Sequence, residues 1–400
     1  MVCFNAFTSS AILSFAASAI AGPVSPQTFV THPITKKASK SITSTLVKDQ
    51  TRLAKYNAAG SVLGATITNE VDSYIAAVKI GTQTKLIGIK FSLIVDTGSS
   101  NIWVGAGTKF IKGSTGITTG DSVSVSYGSG SFFGTEYIDT VTVGNATVLK
   151  QSIGVASSST GFEGVDGIIG FGPADLTEGT VLKVLSGVTT VATFMDNLYS
   201  QHSIPTEVLG ISLAPESGSD DDDANGELTF GGTDPSKYTG NIAYTPKSTS
   251  SLVAPYWGVA VSAITYGGTS LGSGSGIVDT GTTLIYIPTS AYTKLLSASG
   301  GETDSITGLA KFTTKPTSTF SLTIGGTTFP LTPAQYLVPT AQYANLGISG
   351  SAYYSWINDG GSSGVDIIIG QKFLENYYSV FDTTYVRPSC VLSIADMRSR

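Results

Sequence analysis

The sequence predicts an all-β fold made of two related halves, and three observations carry that reading. Charged residues are only 12% of the 400. Gly, Ser and Thr are abundant, and Val, Ile, Tyr and Phe recur in short runs bounded by turn residues, the pattern of pleated strands. Long amphipathic helical patterns are nearly absent; Thr193 to His202 is the best candidate helix. Most telling, Ile94-Val95-Asp96-Thr97-Gly98-Ser99-Ser100 recurs as Ile277-Val278-Asp279-Thr280-Gly281-Thr282-Thr283, 183 positions later (279 − 96). A β-branched run ending in Asp-Thr-Gly delivers a carboxylate to the end of a buried strand, and glycine permits close backbone approach. One such stretch is an ordinary turn. Two in the same context suggest a duplicated half-molecule, with two aspartates meeting at one site. The length is ample for two domains.

In chain order, residues 1–21 read as a signal peptide. Ser10 to Ala21 is apolar and alanine-rich, and it ends in the small-x-small pattern Ala19-Ile20-Ala21, although Lys and Arg are missing ahead of it. The run is too short to span a bilayer, and no other segment is long and apolar enough. Secretion, and no membrane association, is therefore expected.

Residues 22–57 change character. Lys36, Lys37, Lys40, Lys48, Arg52 and Lys55 stand against Asp49 alone, a charge of +5. Residues 58–400 then hold 16 bases (22 − 6) and 27 acids (28 − 1), or −11. A basic leader before an acidic body reads as an activation propeptide held by charge. The body has no basic stripe, so nucleic acid is not an expected partner. Cys3 falls in the signal peptide, which leaves Cys390 alone in the mature chain; in the run Cys390-Val391-Leu392 it reads as buried and inert.

The body follows as strands: Tyr74 to Ile80, then Phe91 to Val95 leading into Asp96. Val123 to Tyr127 and Phe132 to Tyr137 form a hairpin around Gly128-Ser129-Gly130. The sequon Asn145-Ala146-Thr147 falls at a second hairpin turn and makes Asn145 a glycosylation candidate. Asp220 to Asp223 reads as a solvated acidic loop before Leu228 to Phe230, and Gly231 to Pro235 as a connector. The second half repeats the plan. Its Ile367-Ile368-Ile369-Gly370 matches Ile168-Ile169-Gly170 of the first.

Each half thus holds Asp-Thr-Gly followed by a hydrophobic-hydrophobic-Gly segment, a two-part constellation that occurs twice. On these residues the chain resembles the pepsin-type aspartic endopeptidases, closest to the secreted, polyporopepsin-like basidiomycete members. Tyr127-Gly128-Ser129-Gly130-Ser131, Gln151-Ser152-Ile153-Gly154-Val155 and Tyr378-Ser379-Val380-Phe381-Asp382 add to the likeness, which covers everything after the signal peptide. The resemblance implies a bilobal fold with pseudo-twofold symmetry around a central cleft. Lobes are expected at 58–237 and 238–400.

It also implies an acid-active endopeptidase that needs no cofactor or metal, with Asp96 and Asp279 catalytic. Two carboxylates in contact hold one proton between them; the charged one takes a proton from water and the protonated one donates to the scissile carbonyl. Thr97 and Thr280 would tie the two loops together, and Ser99 and Thr282 would bond the outer carboxylate oxygens. Gly98 and Gly281 would leave room for substrate. Tyr127, Gly128 and Ser129 would form a flap, with the Trp103 indole bonded to Tyr127. Ile168 and Ile368 would belong to the cleft. Polypeptide substrates cut beside bulky apolar residues, pepstatin-type inhibitors and the chain's own propeptide are the expected partners, and the enzyme is expected to be a monomer. Ser129, where some relatives carry Asp, predicts poor cleavage beside Lys. Lys55-Tyr56 matches a pair whose lysine sits between the two aspartates.

The departures are an excess of about four residues around Leu86-Ile87-Gly88-Ile89, Gln83 in place of Pro, Gln371 in place of Asp, and the missing disulfides. Other hydrolase chemistries fit poorly. A Ser/His/Asp site would have only His32 and His202 to draw on, and no His/Cys/carboxylate cluster has metal-ligand spacing. An inactive relative that only binds peptides is the competing class.

Overall fold

The computed structural model describes residues 29–37, 41–57, 73–81, 89–128, 130–182, 190–215, 225–362, 364–365 and 367–383, with the backbone of 391–397. The signal peptide, Ala58, Leu86 to Gly88, Ser129, Asp220 to Asp223 and Cys390 lie outside the described residues.

Strands dominate, as expected. One sheet of the second half is seven strands wide and contains both Thr269–Val278, which ends beside Asp279, and Ile367–Ile369. A larger sheet carries the corresponding strands of the first half, Ile89–Asp96 and Gly167–Gly170. It continues into strands of both halves: Val208–Ser212 pairs with Tyr377–Asp382, which pairs with Val391–Met397. The two halves are therefore joined through one shared sheet. The core is apolar on both sides of it, with Val95, Ile169, Val278 and Ile369 fully buried.

The basic leader is part of this framework. Its strand Val30–Lys37 is zipped between Gly226–Phe230 and Ser73–Ile80, antiparallel to both. A 16-residue helix, Ile42–Asn57, follows. It is a long helix that the sequence pattern did not show, although helices remain few among the described residues; another, Thr289–Ser299, ends on Gly300 in the left-handed conformation at φ 68°. The leader helix escaped detection because its inward face mixes apolar Ile42, Leu46 and Leu53 with Thr45, Lys48, Asp49 and Arg52, all buried. The candidate helix at 193–202 is real but shorter, Phe194–Ser200, capped reciprocally by Thr193 and Asp196.

The hairpin predicted around Gly128 is present: Ile117–Ser126 pairs with Ser131–Val143, and the Tyr127 amide donates to the Gly130 carbonyl at 2.6 Å. Asn145 is exposed at the turn between Ser131–Val143 and Ala146–Thr160.

Candidate active site

Each Asp-Thr-Gly stretch ends a strand that pairs in parallel with the hydrophobic segment read from the same half. Ile94 faces Ile168 and Asp96 faces Gly170; Ile277 faces Ile368 and Val278 faces Ile369. The two-part constellation is thus one structural unit used twice. Ile168 is buried in a cluster with Trp103 and Tyr127, and Ile368 in a cluster with Leu46 and Leu53 of the leader helix.

The two loops are cross-linked symmetrically. The Thr97 amide donates to Thr280 Oγ1 and the Thr280 amide to Thr97 Oγ1, both at 3.0 Å. Each hydroxyl in turn donates across the site, Thr97 Oγ1 to the Val278 carbonyl at 3.1 Å and Thr280 Oγ1 to the Val95 carbonyl at 2.8 Å. Four buried hydrogen bonds of this kind hold the two strand ends at a fixed spacing, because losing a partner would leave a buried donor or acceptor unsatisfied.

Each carboxylate also has a matching local donor set. Asp96 Oδ1 accepts from the Gly98 amide at 2.9 Å and Oδ2 from Ser99 Oγ at 2.6 Å. Asp279 Oδ1 accepts from the Gly281 amide at 2.9 Å and Oδ2 from Thr282 Oγ1 at 2.5 Å. Glycine is required at 98 and 281 for a shared reason. A Cβ on Gly98 would stand 2.6 Å from Asp279 Oδ1, and one on Gly281 2.6 Å from Asp96 Oδ1. Each carboxylate packs against the other half's glycine.

The leader helix lies across this pair, and the cation between the aspartates is Arg52. Arg52 Nη2 donates to Asp96 Oδ1, and also to Asp279 Oδ1 at 2.9 Å; Nε donates to Asp279 Oδ2 at 2.6 Å. The expectation that Lys55 takes this place is corrected. Lys55 Nζ instead stands 5.2 Å from the centre of the Tyr127 ring. A guanidinium presents several donors in a plane and can serve two carboxylates at once, which an ammonium on a flexible stem does less well. Tyr56 does reach the site, donating to Asp279 Oδ2 at 2.9 Å while its ring meets Tyr256 edge-on at 4.9 Å. One turn earlier, Asp49 accepts from the Thr283 and Leu284 amides at 2.8–3.1 Å.

Electrostatics are uneven across the pair. Burial pushes the Asp96 carboxyl up, only partly offset by Arg52, and its pKa is raised. Burial acts on Asp279 too, but Arg52, Thr282 and Tyr56 outweigh it and the pKa is lowered. Burial, reinforced by Arg52, brings Lys55 down to about 8. Farther along the leader, Lys36 is buried against Glu375, which Lys372 also contacts at 3.2 Å. Burial raises the Glu375 carboxyl, yet the two ammonium groups outweigh it and its pKa is lowered.

Tyr127 and Trp103 stack with ring centroids 6.2 Å apart, and Trp103 packs still closer on Phe132, at 4.3 Å. The Trp103 indole is near enough to the Tyr127 phenol to oppose the upward push of burial on it, although no regular hydrogen bond joins Nε1 to Oη. With the leader helix in place, Gly128 is pressed against Arg52, within 2.0 Å of which a Cβ would fall. Gln371, the departure from Asp, donates to the Thr280 carbonyl at 2.7 Å and so braces the second Asp-Thr-Gly loop. Among the described residues no group of three or more His, Cys, Asp or Glu is arranged to hold a metal ion, and no helix is long and apolar enough to cross a membrane.

Sequence reasoning missed Arg52, Asp49, Tyr256 and Glu375. For Arg52 a signal existed: it is the one leader base with a planar guanidinium, whose several donors suit two carboxylates at once.

Comparison with known proteins gives consistent matches over most of the chain. The family model of eukaryotic aspartyl proteases matches residues 73–390. The chain is 47% identical to polyporopepsin of Irpex lacteus over 338 residues, 82% of this chain and 96% of that one. It is 32% identical to gastricsin of Cavia porcellus over 334 residues, 78% of this chain and 77% of the relative. The crystal structure of the aspartic proteinase from Irpex lacteus superposes with a TM-score of 0.77 at 41% identity, covering 92% of this chain and 98% of that one.

Proposed function

Because the chain belongs to the eukaryotic aspartyl proteases, and is therefore a pepsin-like aspartic-type endopeptidase acting on polypeptides, we propose that it is a secreted, acid-active enzyme made as a zymogen. The observation that carries this reading is the pair of buried aspartates with matched donor sets, bridged by a cation from the chain's own leader.

The mechanism follows from that pair. Two carboxylates this close to one another do not both ionise readily without a cation between them, so once Arg52 leaves they keep one proton. Arg52 Nη2 bonds Oδ1 of both aspartates, the point from which a nucleophilic water could contact both. The ionised carboxylate takes a proton from that water, and the other donates to the scissile carbonyl oxygen. Ser99 and Thr282 keep the outer oxygens oriented, and Tyr127 on the hairpin closes over bound peptide. No acyl-enzyme is required. Bulky apolar residues beside the cut fit the walls now covered by Leu46 and Leu53 of the leader.

On this reading residues 1–21 are removed on secretion and residues 22–57 on activation. The lobes 58–237 and 238–400 then act as a monomer, with Asn145 open to glycosylation. The test is cleavage of a denatured protein at acid pH. Cleavage should be abolished by a pepstatin-type inhibitor and untouched by serine- or thiol-directed reagents. Inhibitor binding without cleavage would instead identify an inactive binding protein.

A further inference from the structure

Away from the leader-filled cleft, the junction of the two halves holds a second cavity of about 640 Å³. Its walls come from the segment after Gly170, from the helix Phe194–Ser200, from the shared strands Val208–Ser212 and Tyr377–Asp382, and from residues 247–257 of the second half. The apolar surface is Phe171, Met195, Leu209, Trp257 and Phe381, with the rings of Trp257 and Phe381 edge to face at 5.1 Å. Three carboxylates, Asp175, Asp196 and Glu207, and one ammonium, Lys247, complete the lining. None of the residues that bond the leader helix (Asp96, Asp279, Thr283, Leu284) lines this cavity, so it is distinct from the leader's seat.

We propose that this interlobe cavity is a binding site for a small organic cation with an aromatic body, of the arylalkylamine type. Its volume lies in the range of ordinary small-ligand sites, and such sites favour domain junctions. The aromatic surface accepts a flat apolar body and attracts a cation. The excess of carboxylates over ammonium groups sets the sign of the ligand's charge.

Glu207 is the anchor. Burial, and then its neighbour Asp196, pushes its carboxyl up to about 7. The groups that face it are Asp196 on the helix and Asp382 at the end of the shared strand, with Asp175 and Lys247 elsewhere in the cavity. A bound ammonium would stabilise the ionised form that these acids oppose.

The cavity is also wired to the catalytic strands. The Phe171 amide donates to the Asp96 carbonyl at 2.7 Å and the Val278 amide to the Trp257 carbonyl at 3.0 Å. Trp257 Nε1 donates to the Phe171 carbonyl at 2.8 Å, which closes the link between halves. A ligand that shifts Phe171 against Trp257 acts on the main chain next to both aspartates.

The binding arm does not depend on proteolysis. Tryptamine is titrated calorimetrically into the full-length chain near neutral pH, beside the neutral analogue 3-ethylindole. Tryptamine is expected to bind at least roughly tenfold more tightly than the neutral compound, the equivalent of one charge-assisted contact. Glu207→Gln should remove most of that difference. Ala254→Trp, which fills the cavity without altering charge, should remove binding altogether. Affinity should fall as pH drops through about 7, where Glu207 takes up its proton. Equal affinity for the neutral analogue, indifference to Glu207→Gln, or no binding at all would overturn the site. On the processed enzyme tryptamine should change kcat without competing with peptide. Competition, or an unchanged kcat at saturation, would overturn the link to the dyad.

Discussion

Asp96 and Asp279 receive the same donors from their own halves but different ones from the leader. Each takes a glycine amide and a hydroxyl three residues on. The leader then gives Asp96 one contact, from Arg52 Nη2, while Asp279 takes two atoms of Arg52 and the Tyr56 hydroxyl. The internal repeat builds a symmetric pair, and an asymmetric occupant polarises it. That is why the carboxyl of Asp96 is raised and that of Asp279 lowered in two nearly identical sequence contexts. The comparison separates two roles. The halves set the geometry of the dyad, and the leader sets which member is the more acidic while it is bound.

The strongest way to break the symmetry is to remove one carboxylate. Asp96→Asn and Asp279→Asn should each lower proteolysis by more than about a hundredfold, since an amide can neither take the water's proton nor share one. Assays on chains processed in trans by another protease isolate catalysis from self-activation. Near-wild-type turnover by either variant would contradict the dyad. Because the Thr97–Thr280 cross-links are untouched, thermal unfolding of both processed chains, from which Arg52 is gone, should stay close to wild type.

Next is the asymmetric occupant itself. Arg52→Met leaves two buried carboxylates without their cation, and breaking a buried pair costs about 3–5 kcal/mol. The sign of the pH effect follows from Asp279 and Glu375, both lowered with the leader docked, against which the raised Asp96 acts alone in the opposite sense. The contribution of Asp279 and Glu375 to docking is complete above the ordinary carboxylate pKa and is lost as pH falls through the lowered values. If about two protons drive release, at about 1.4 kcal/mol per pH unit each, Arg52→Met should raise the processing midpoint by one to two pH units. Processing is followed by N-terminal sequencing across a pH series, and an unchanged midpoint would remove Arg52 from the mechanism.

Lys55 should behave in the opposite sense. Its pKa is lowered on docking, so below about pH 8 the leader holds a buried ammonium that would be better solvated outside. The ring of Tyr127 compensates in part. Lys55→Met should therefore slow processing slightly or leave it unchanged, and earlier processing would restore Lys55 as a retaining group.

How much of this was legible differs between the same two regions. The Asp strands and their Ile-Ile-Gly partners could be read from sequence because strand periodicity, a turn and a repeat all agree at Val95-Asp96-Thr97-Gly98 and Val278-Asp279-Thr280-Gly281. The leader could not be read beyond its charge. Its helix turns Thr45, Lys48, Asp49 and Arg52 inward, and Asp49 and Arg52 meet polar groups of the second half some 230 residues away in the chain, so the face that packs is not the face that looks apolar. The Lys-Tyr pair placed the cation wrongly, and the contact of Tyr56 with Asp279 was not read from it at all. Tyr56 lies four residues after Arg52, one helical turn, so both point at the dyad, whereas Lys55 is rotated toward Tyr127. Likewise Trp103 and Tyr127 were rightly paired, while the stack of the indole on Phe132 and its edge contact with Phe162 could not be read from spacing.

The mildest change tests the polarisation alone. Tyr56→Phe keeps the ring that meets Tyr256 at 4.9 Å and removes only the hydroxyl that donates to Asp279 Oδ2 and accepts from Arg52 Nε at 3.0 Å. A hydrogen bond to a charged acceptor is worth about 1.5–3 kcal/mol, but Arg52 still bonds the same oxygen and offsets part of the loss. With two protons coupled to release, a net loss of about 1 kcal/mol moves the processing midpoint up by less than half a pH unit. Tyr56→Ala, which also gives up the aromatic contact, should move it further. The comparison is informative because Tyr56 touches only one aspartate. If the leader's grip were shared equally between the halves, Tyr56→Phe would be silent; a shift as large as that of Arg52→Met would mean that Tyr56, and not the guanidinium, is what keeps the leader on the dyad.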